Sequence, residues 1–435
     1  MHRKKAFVLM AVLLCLLLGG CMLQPAEDLY ALPKQPAEYY TLQNRLDAIL
    51  EEGGTYCAPV SGDRRQAVQL ADLDSDGQEE AIAFFKMPGE KPLKTYIFHK
   101  TSEGYEEYAC IEGDGSAFES VSYCQIDTTL GLELVIGRQV SDQVPQALSV
   151  YSVADGEPAE LLNVSCIRHT LADLDESGLQ ELLVFRIEDD SSSGVTDYYR
   201  WNGSAMELAG SAGMTADLTA DSIRRIVCGM MQADTPAVFV ANAYDPEMLT
   251  IVSDVFMLDG DDFCNVCARG DSANAAHTIR YQRVYAVDID ADGLIELPAP
   301  VKLPSVREDS TDYYMIDWYN LRSDASREYK RSTFHNYTDG WYLDLSDDWK
   351  KDLAVDTLSG MNGYGFYRAG GDLRFAVYAF SGRSAQLDAG TDGRFILGQK
   401  GDVVYAGEIF DTAITESQLR DAFHFIFTDW NSGEV

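Results

Sequence analysis

The chain has 435 residues, 46% apolar and 24% charged, so collagen-like and wholly disordered readings are excluded. Asp and Glu total 70 against 34 Lys and Arg, a formal charge of −36. A surface of that sign repels phosphate backbones and argues against a nucleic-acid partner. At roughly 100–200 residues per domain, two or three domains are expected.

The N-terminus opens on a basic patch, His2-Arg3-Lys4-Lys5, followed by an apolar run from Ala6 to Leu18. That run is too short to span a bilayer, which needs about 20 residues. It ends at Leu18-Gly19-Gly20-Cys21, which resembles the bacterial lipobox. The resemblance implies a signal peptide over 1–20 and a diacylglycerol on Cys21. It also implies anchoring at the extracellular face of a bacterial cell membrane. Residues 21–40 carry Pro25, Pro33 and Pro36 and read as a tether.

Thr41 to Glu52 reads as one amphipathic helix, with Leu42, Leu46, Ile49 and Leu50 on one face and Gly53-Gly54 as the stop. Beyond it, short apolar runs alternate with Gly/Asp/Ser turns, the pattern of a mostly β chain. Of nine cysteines, Cys15 leaves with the signal and Cys21 takes lipid. The odd remainder (Cys57, Cys110, Cys124, Cys166, Cys228, Cys264 and Cys267) does not form a complete disulfide framework. Cys110, Cys124, Cys166 and Cys228 sit in strand-like runs and read as small buried hydrophobes. Cys264-Asn-Val-Cys267 is a CxxC without a second CxxC, so it reads as a local disulfide or two free thiols.

An internal repeat is the informative feature. Three segments align without gaps: Asp72-Leu-Asp74-Ser-Asp76-Gly77-Gln78-Glu-Glu80, Asp173-Leu-Asp175-Glu-Ser177-Gly178-Leu179-Gln-Glu181, and Asp288-Ile-Asp290-Ala-Asp292-Gly293-Leu294-Ile-Glu296. A worn copy runs from Gln125 to Glu133 and keeps only Asp127 and Glu133 of the acids. The starts at 72, 125, 173 and 288 are spaced by 53, 48 and 115 residues. A period near 50 suits four-stranded propeller blades, and Ala237–Val240 reads as a strand of a blade that lost its acids. Strand-like runs flank each loop. After the third, Leu297-Pro298-Ala299-Pro300 is unsuited to a central strand and reads as the last blade or as an edge where the array ends.

Residues 41–330 are therefore expected to hold the helix and a propeller of five to seven blades. Residues 331–435 are expected to form a small α+β domain, opened by His335-Asn-Tyr-Thr-Asp-Gly-Trp-Tyr342. Its last helix starts at the capping box Thr415-x-x-Gln418 and carries Leu419, Ala422, Phe423, Ile426 and Phe427.

The loops have the chemistry of a hard-cation site. Ca²⁺ takes six to eight oxygens at about 2.3–2.6 Å. Acids at positions 1, 3, 5 and 9 turn inward on a tight loop, and the position-6 glycine permits the turn. The candidate ligands are Asp72, Asp74, Asp76, Gln78 and Glu80; Asp173, Asp175, Ser177, Leu179 and Glu181; and Asp288, Asp290, Asp292, Leu294 and Glu296. Gln78, Leu179 and Leu294 would act through their carbonyls. Ser177 in place of Asp weakens the second site. An EF-hand needs an acid at position 12 and flanking helices, which are missing here. The pattern is similar to the FG-GAP/VCBS repeats of integrin-like β-propellers, over roughly residues 60–300. That resemblance implies structural Ca²⁺ pinning the blade hairpins.

The sequence carries no HExxH, GxSxG or P-loop, and Gly270-Asp271-Ser272-Ala273 matches a nucleophile motif only superficially. His169 reads as a strand residue. The reading is a surface-anchored, calcium-stabilised lipoprotein that binds or scaffolds extracellular glycan or protein without catalysis. The alternative is an extracellular polysaccharide hydrolase or lyase.

Overall fold

The computed structural model describes residues 37–426, apart from 141–145, 154–156, 189–192, 220, 245–249, 270–277, 308–309 and 383. The expected signal peptide, Cys21, nearly all of the expected tether and Gly270–Ala273 lie outside the described residues.

Helix α1 spans Ala37–Glu51. Leu42, Leu46 and Ile49 form its buried face, while Leu50 stays partly exposed. The helix stops where Gly53 takes a φ of +95°, and Gly54 N–H returns to the Ile49 carbonyl at 3.0 Å. Among the described residues no helix is long and apolar enough to cross a membrane.

The rest is mostly β. The first sheet holds β1 (Thr55–Tyr56), β2 (Val68–Ala71), β3 (Glu80–Lys86), β4 (Leu93–Thr101) and β5 (Gly104–Gly113). The second holds β6 (Ala117–Cys124), β7 (Glu133–Gln139), β8 (Gln146–Ser152) and β9 (Ala159–Cys166). The third holds β10 (Arg168–Ala172), β11 (Glu181–Ile187), β12 (Ser193–Trp201) and β13 (Met206–Asp217). The fourth holds β14 (Ile223–Gln232), β15 (Thr235–Ala243), β16 (Ile251–Asp259) and β17 (Asp262–Asn265). The second, third and fourth sheets are antiparallel meanders of consecutive strands.

Two more sheets follow. The fifth runs β18 (Glu296–Lys302), β19 (Tyr314–Leu321), β20 (Arg327–Asn336) and β21 (Trp341–Leu345), with the final strand, Phe423–Phe425, on its far edge. The sixth holds β22 (Leu353–Thr357), β23 (Gly363–Arg368), β24 (Leu373–Ser381), β25 (Phe395–Lys400) and β26 (Val403–Ile409). Short helices α2 (Asp347–Lys350), α3 (Ala385–Ala389) and α4 (Glu416–Ala422) lie among them.

The core is a series of layers between neighbouring sheets. Phe84 and Ile97 of the first sheet pack with Phe118 and Ile136 of the second. Val135 and Val150 meet Leu182 and Val184 of the third. Phe185 and Tyr198 meet Val240 and Phe256 of the fourth. Phe239 and Val255 meet Leu297 and Leu321 of the fifth. Phe334 and Leu343 meet Phe366 and Phe375 of the sixth.

Helix α1 covers one face of the first sheet, where Leu42, Leu46 and Ile49 sit on Ala81, Ala83 and Phe85. Helix α3 covers the sixth, with Ala385 and Ala389 on Val404 and Ala406. Among the described residues no apolar cluster joins the two end sheets. Helix caps at the ends are how a repeat array avoids exposing apolar faces.

Four expectations change. The boundary at residue 331 falls inside β20, and β21 pairs with Phe423–Phe425, so residues 331–345 and 423–425 share the fifth sheet with residues before them. The acidic signature ends at Glu296, but the strand meander goes on. Leu297–Pro300 lies in an edge strand, as its prolines require, but this edge begins a sheet and does not end the array. Helix α4 has its capping box but ends at Ala422. Phe423 enters an edge strand, where pairing with Leu343 holds it. Ala237–Val240 does lie in a buried strand, β15. Cys228 is exposed rather than buried, and the described cysteines are free thiols.

Candidate cation loops and a polar cleft

Three of the acidic loops are hairpins between adjacent strands (β2–β3, β6–β7 and β10–β11), the one at 288–296 leads into β18 from a single bridge at Val287, and all four copies share one register. The residue before the loop pairs with the position-nine Glu: Ala71 with Glu80, Cys124 with Glu133, Ala172 with Glu181 and Val287 with Glu296. Inside, the three intact loops repeat one backbone path. Position 4 is left-handed at Ser75, Glu176 and Ala291, with φ of 59°, 56° and 58°. The following turn needs φ of 86°, 86° and 90° at Gly77, Gly178 and Gly293, which glycine adopts without strain.

The position-nine carboxylate closes the loop. One oxygen of Glu80, Glu133, Glu181 and Glu296 accepts the position-two backbone N–H of Leu73, Ile126, Leu174 and Ile289, at 2.8, 2.7, 2.6 and 3.0 Å. These position-two side chains are all buried and anchor the loop from below. Position eight ties the sheets together. Leu132 N–H donates to the Leu73 carbonyl at 2.8 Å, Gln180 N–H to Gln125 at 2.7 Å, and Ile295 N–H to Met230 at 2.8 Å. A Cβ on Gly131 would lie 2.5 Å from the Leu73 carbonyl oxygen, so that approach requires glycine.

The remaining acids fold inward. Asp72, Asp173 and Asp288 each take the N–H of the loop glycine, at 3.1, 3.0 and 2.9 Å. Gln78, Leu179 and Leu294 donate their backbone N–H to Asp76, Ser177 and Asp292 at 2.7, 3.2 and 3.0 Å. Asp74 and Asp175 accept from Asp76 and Ser177 at 3.1 and 2.9 Å. Four buried carboxylate oxygens keep no hydrogen-bond partner: Asp72 Oδ1, Glu80 Oε1, Asp173 Oδ1 and Asp290 Oδ1. In each intact loop, three acidic side chains bring an oxygen within 4.8 Å of one another: Asp72, Asp74 and Asp76; Asp173, Asp175 and Glu181; Asp288, Asp290 and Glu296. Hard oxygen donors with unpartnered buried lone pairs fit a cation such as Ca²⁺.

Burial pushes the carboxyls of Glu80, Glu133 and Glu296 up, and that of Glu181 up to about 8, because an ionised group loses water there. The third loop differs. Lys330 lies on Asp292 and, at 3.4 Å, on Asp290, and Arg331 Nη2 is 3.3 Å from Asp290. The hydrogen bond from Lys330 holds the Asp292 carboxyl below its ordinary value. Asn320 takes the second oxygen of Glu296 at 2.7 Å. None of Lys330, Arg331, Asn320 and His99, which stands beside Glu80, is marked by the local motif. Each arrives from a later strand.

Away from the loops, a cleft of about 330 Å³ opens where β6, β10 and β14 converge with residues 61–63. Asp63, Glu119, Ser122, Gln146, Arg168 and His169 line it. Burial, with Arg168 beside it, pushes the His169 imidazole down to about 4, so it is neutral at physiological pH. A second cavity of about 560 Å³ is strongly acidic, with Asp175, Glu176, Asp234, Asp259 and Asp261.

No protein-family model and no curated protein matches the chain. Solved structures give partial likenesses. Sqt1 of Chaetomium thermophilum matches at 10% identity and a TM-score of 0.33, over 83% of this chain and 99% of that one. The exotype rhamnogalacturonan lyase YesX matches at 12% and 0.31, over 73% and 65%. A functionally unknown protein from Desulfotomaculum acetoxidans matches at 13% and 0.29, over 70% and 83%. Glycan-acting enzymes are thus among the similar structures, but likeness at these scores carries no functional argument.

Proposed function

We propose that this chain is a cation-stabilised, lipid-anchored binding module of the bacterial cell surface. The observation that carries the cation reading is the recurrence of one hairpin loop with an unpartnered buried carboxylate oxygen at Asp72, Asp173 and Asp290. An orphaned buried oxygen costs stability unless something pairs with it. Ca²⁺ there would stiffen the hairpins whose position-eight N–H groups join one sheet to the next. The six sheets act as blades, in the manner of FG-GAP/VCBS repeats, stacked in a series with helix-capped ends.

The ligand site in this reading is the cleft between β6, β10 and β14. Its hydroxyl, amide, carboxylate and guanidinium groups suit a hydroxyl-rich glycan, which offers donors and acceptors in equal measure. The role is binding rather than cleavage. The test is a glycan array probed with the protein, with and without Ca²⁺. Specific retention, lost in an Arg168→Ala variant and with the glycan recovered intact, supports it. Release of shortened or unsaturated products assigns hydrolase or lyase activity instead. Absence of any retained glycan overturns the glycan reading.

The anchor rests on the lipobox at Cys21. Expressed in a bacterial host, a Cys21→Ala variant moves from the membrane fraction to the soluble one. Continued retention of the variant on membranes overturns the anchor.

A further inference from the structure

The position opposite the closing glutamate differs in every copy. Glu296 pairs with Asn320. One step beyond the pair Leu134 and Tyr151, Glu133 faces Ser152. One step beyond Leu182 and Tyr199, Glu181 faces Arg200. One step beyond Ala81 and Phe98, Glu80 faces His99. Cross-strand neighbours share a sheet face, so this residue lies on the side of the oxygen the loop closure leaves over. Asn320 does so directly, donating to Glu296 Oε1.

His99 cannot be explained in the same way. Its Nδ1 stands 3.2 Å from Glu80 Oε1 and 3.9 Å from Asp74 Oδ2. Neither Nδ1 nor Oε1 has an aligned hydrogen-bond partner, and both atoms are buried. Glu80 is 2% exposed, and its other oxygen is held by Leu73, so Oε1 is fixed in its aim. Two ligand atoms about 2.1 Å from one ion, at tetrahedral or octahedral angles, lie roughly 3.0–3.4 Å apart. The Oε1–Nδ1 separation falls in that range. The His99 ring packs against Tyr108 with centroids 5.5 Å apart, which limits its rotation.

We propose that Asp74, Glu80 and His99 bind a divalent transition metal of the zinc or manganese class. The premise is the reading of these loops as cation sites, and the new element is the imidazole. Ca²⁺ takes oxygen ligands, whereas imidazole suits zinc and its neighbours. The first loop is then selective for a different metal from the second and third, whose facing residues, Arg200 and Asn320, are not metal ligands of this kind.

The test uses the full-length protein stripped with EDTA, with Co²⁺ as the spectroscopic probe and Zn²⁺ and Ca²⁺ as competitors. The expected result is one Co²⁺ with d–d absorption and no thiolate charge-transfer band. Zn²⁺ displaces it, and Ca²⁺ in about hundredfold excess does not. In His99→Gln the d–d bands disappear and Zn²⁺ affinity falls at least about tenfold, while Ca²⁺ heat persists. Glu80→Gln, which retains an acceptor for Leu73, gives the same loss. Unchanged cobalt binding in His99→Gln, a thiolate band alone, or ready displacement by Ca²⁺ overturns the proposal. Should the variants not fold, the wild-type spectrum and competition decide. Loss of all Ca²⁺ heat with cobalt binding intact would instead defeat the calcium reading of the other loops.

Discussion

Glu80 Oε2 accepts the backbone N–H of Leu73 at 2.8 Å, and this bond closes the first loop with no metal involved. The same bond closes the copy at Glu133, where only two acids remain and no three-carboxylate cluster forms. Loop closure is therefore separable from the acid cluster within one motif. Closure persists where the other acids have been lost, because the position-two N–H is buried in every copy and needs an acceptor.

Glu133 isolates closure from metal. Glu133→Ala leaves the Ile126 N–H unsatisfied and should cost about 1–3 kcal/mol. Glu133→Gln keeps an acceptor and loses a buried charge, so it should fall within about 1 kcal/mol of the parent. Denaturant unfolding measures both. The difference between the two variants should be the same in EDTA as in Ca²⁺; dependence on Ca²⁺ would assign a metal to this copy.

The intact loops should respond to metal. Extracellular calcium modules bind at about 10⁻⁴–10⁻³ M. At a Ca²⁺ concentration about 100 times Kd, each occupied site adds about 2.7 kcal/mol to stability. Chelation should therefore lower the thermal midpoint, and a midpoint unmoved by EDTA would refute structural Ca²⁺. Ser177→Asp restores the missing carboxylate of the second loop. It should tighten Ca²⁺ binding there by about tenfold in calorimetry, since affinity follows ligand charge.

Lys330 already neutralises part of the third loop, resting on Asp290 and Asp292. An arriving cation must displace that ammonium. Lys330→Met should thus have opposite effects in two buffers. In EDTA it exposes the two carboxylates to each other and lowers stability by up to about 1 kcal/mol, the range of a part-exposed ion pair. In Ca²⁺ it removes a competitor and tightens the third site. An equal effect in both buffers would place the metal elsewhere.

What the sequence made legible follows from range. The hairpin loops are local objects, and Asp, Gly and Glu at fixed offsets carry their turn and closing bond. The amphipathic face of Leu42, Leu46 and Ile49 was equally plain. Its seat on Ala81, Ala83 and Phe85 was not. His99, Asn320, Lys330 and Arg331 reach the loops through strand register, which no spacing in the motif encodes. Phe423 fits a helical period as well as a strand, and only pairing with Leu343 decides between them. After Glu296 the acids stop recurring while the meander continues, so residues from 331 onward resemble a new domain in sequence, yet β21 and Phe423–Phe425 share the fifth sheet with β18 and β19.

His335 supplies the pH dependence. Trp318 Nε1 donates to Thr333 Oγ1 at 2.7 Å, and Thr333 lies 2.8 Å from His335 Nε2. With the hydroxyl donating onward, Nε2 is an acceptor and the ring is neutral. Burial pushes the imidazole down to about 3. The unfolded chain, with an ordinary value near 6.5, then binds the proton first as pH falls. Stability contributed by the neutral ring is complete above about pH 6.5 and declines below it, by about 2 kcal/mol at pH 5. Replacing His335 with Gln, which does not titrate, should flatten the stability profile between pH 5 and 7 by that amount. Urea unfolding at each pH measures it. A variant whose profile keeps the parent's slope would show that the acid sensitivity arises from other groups.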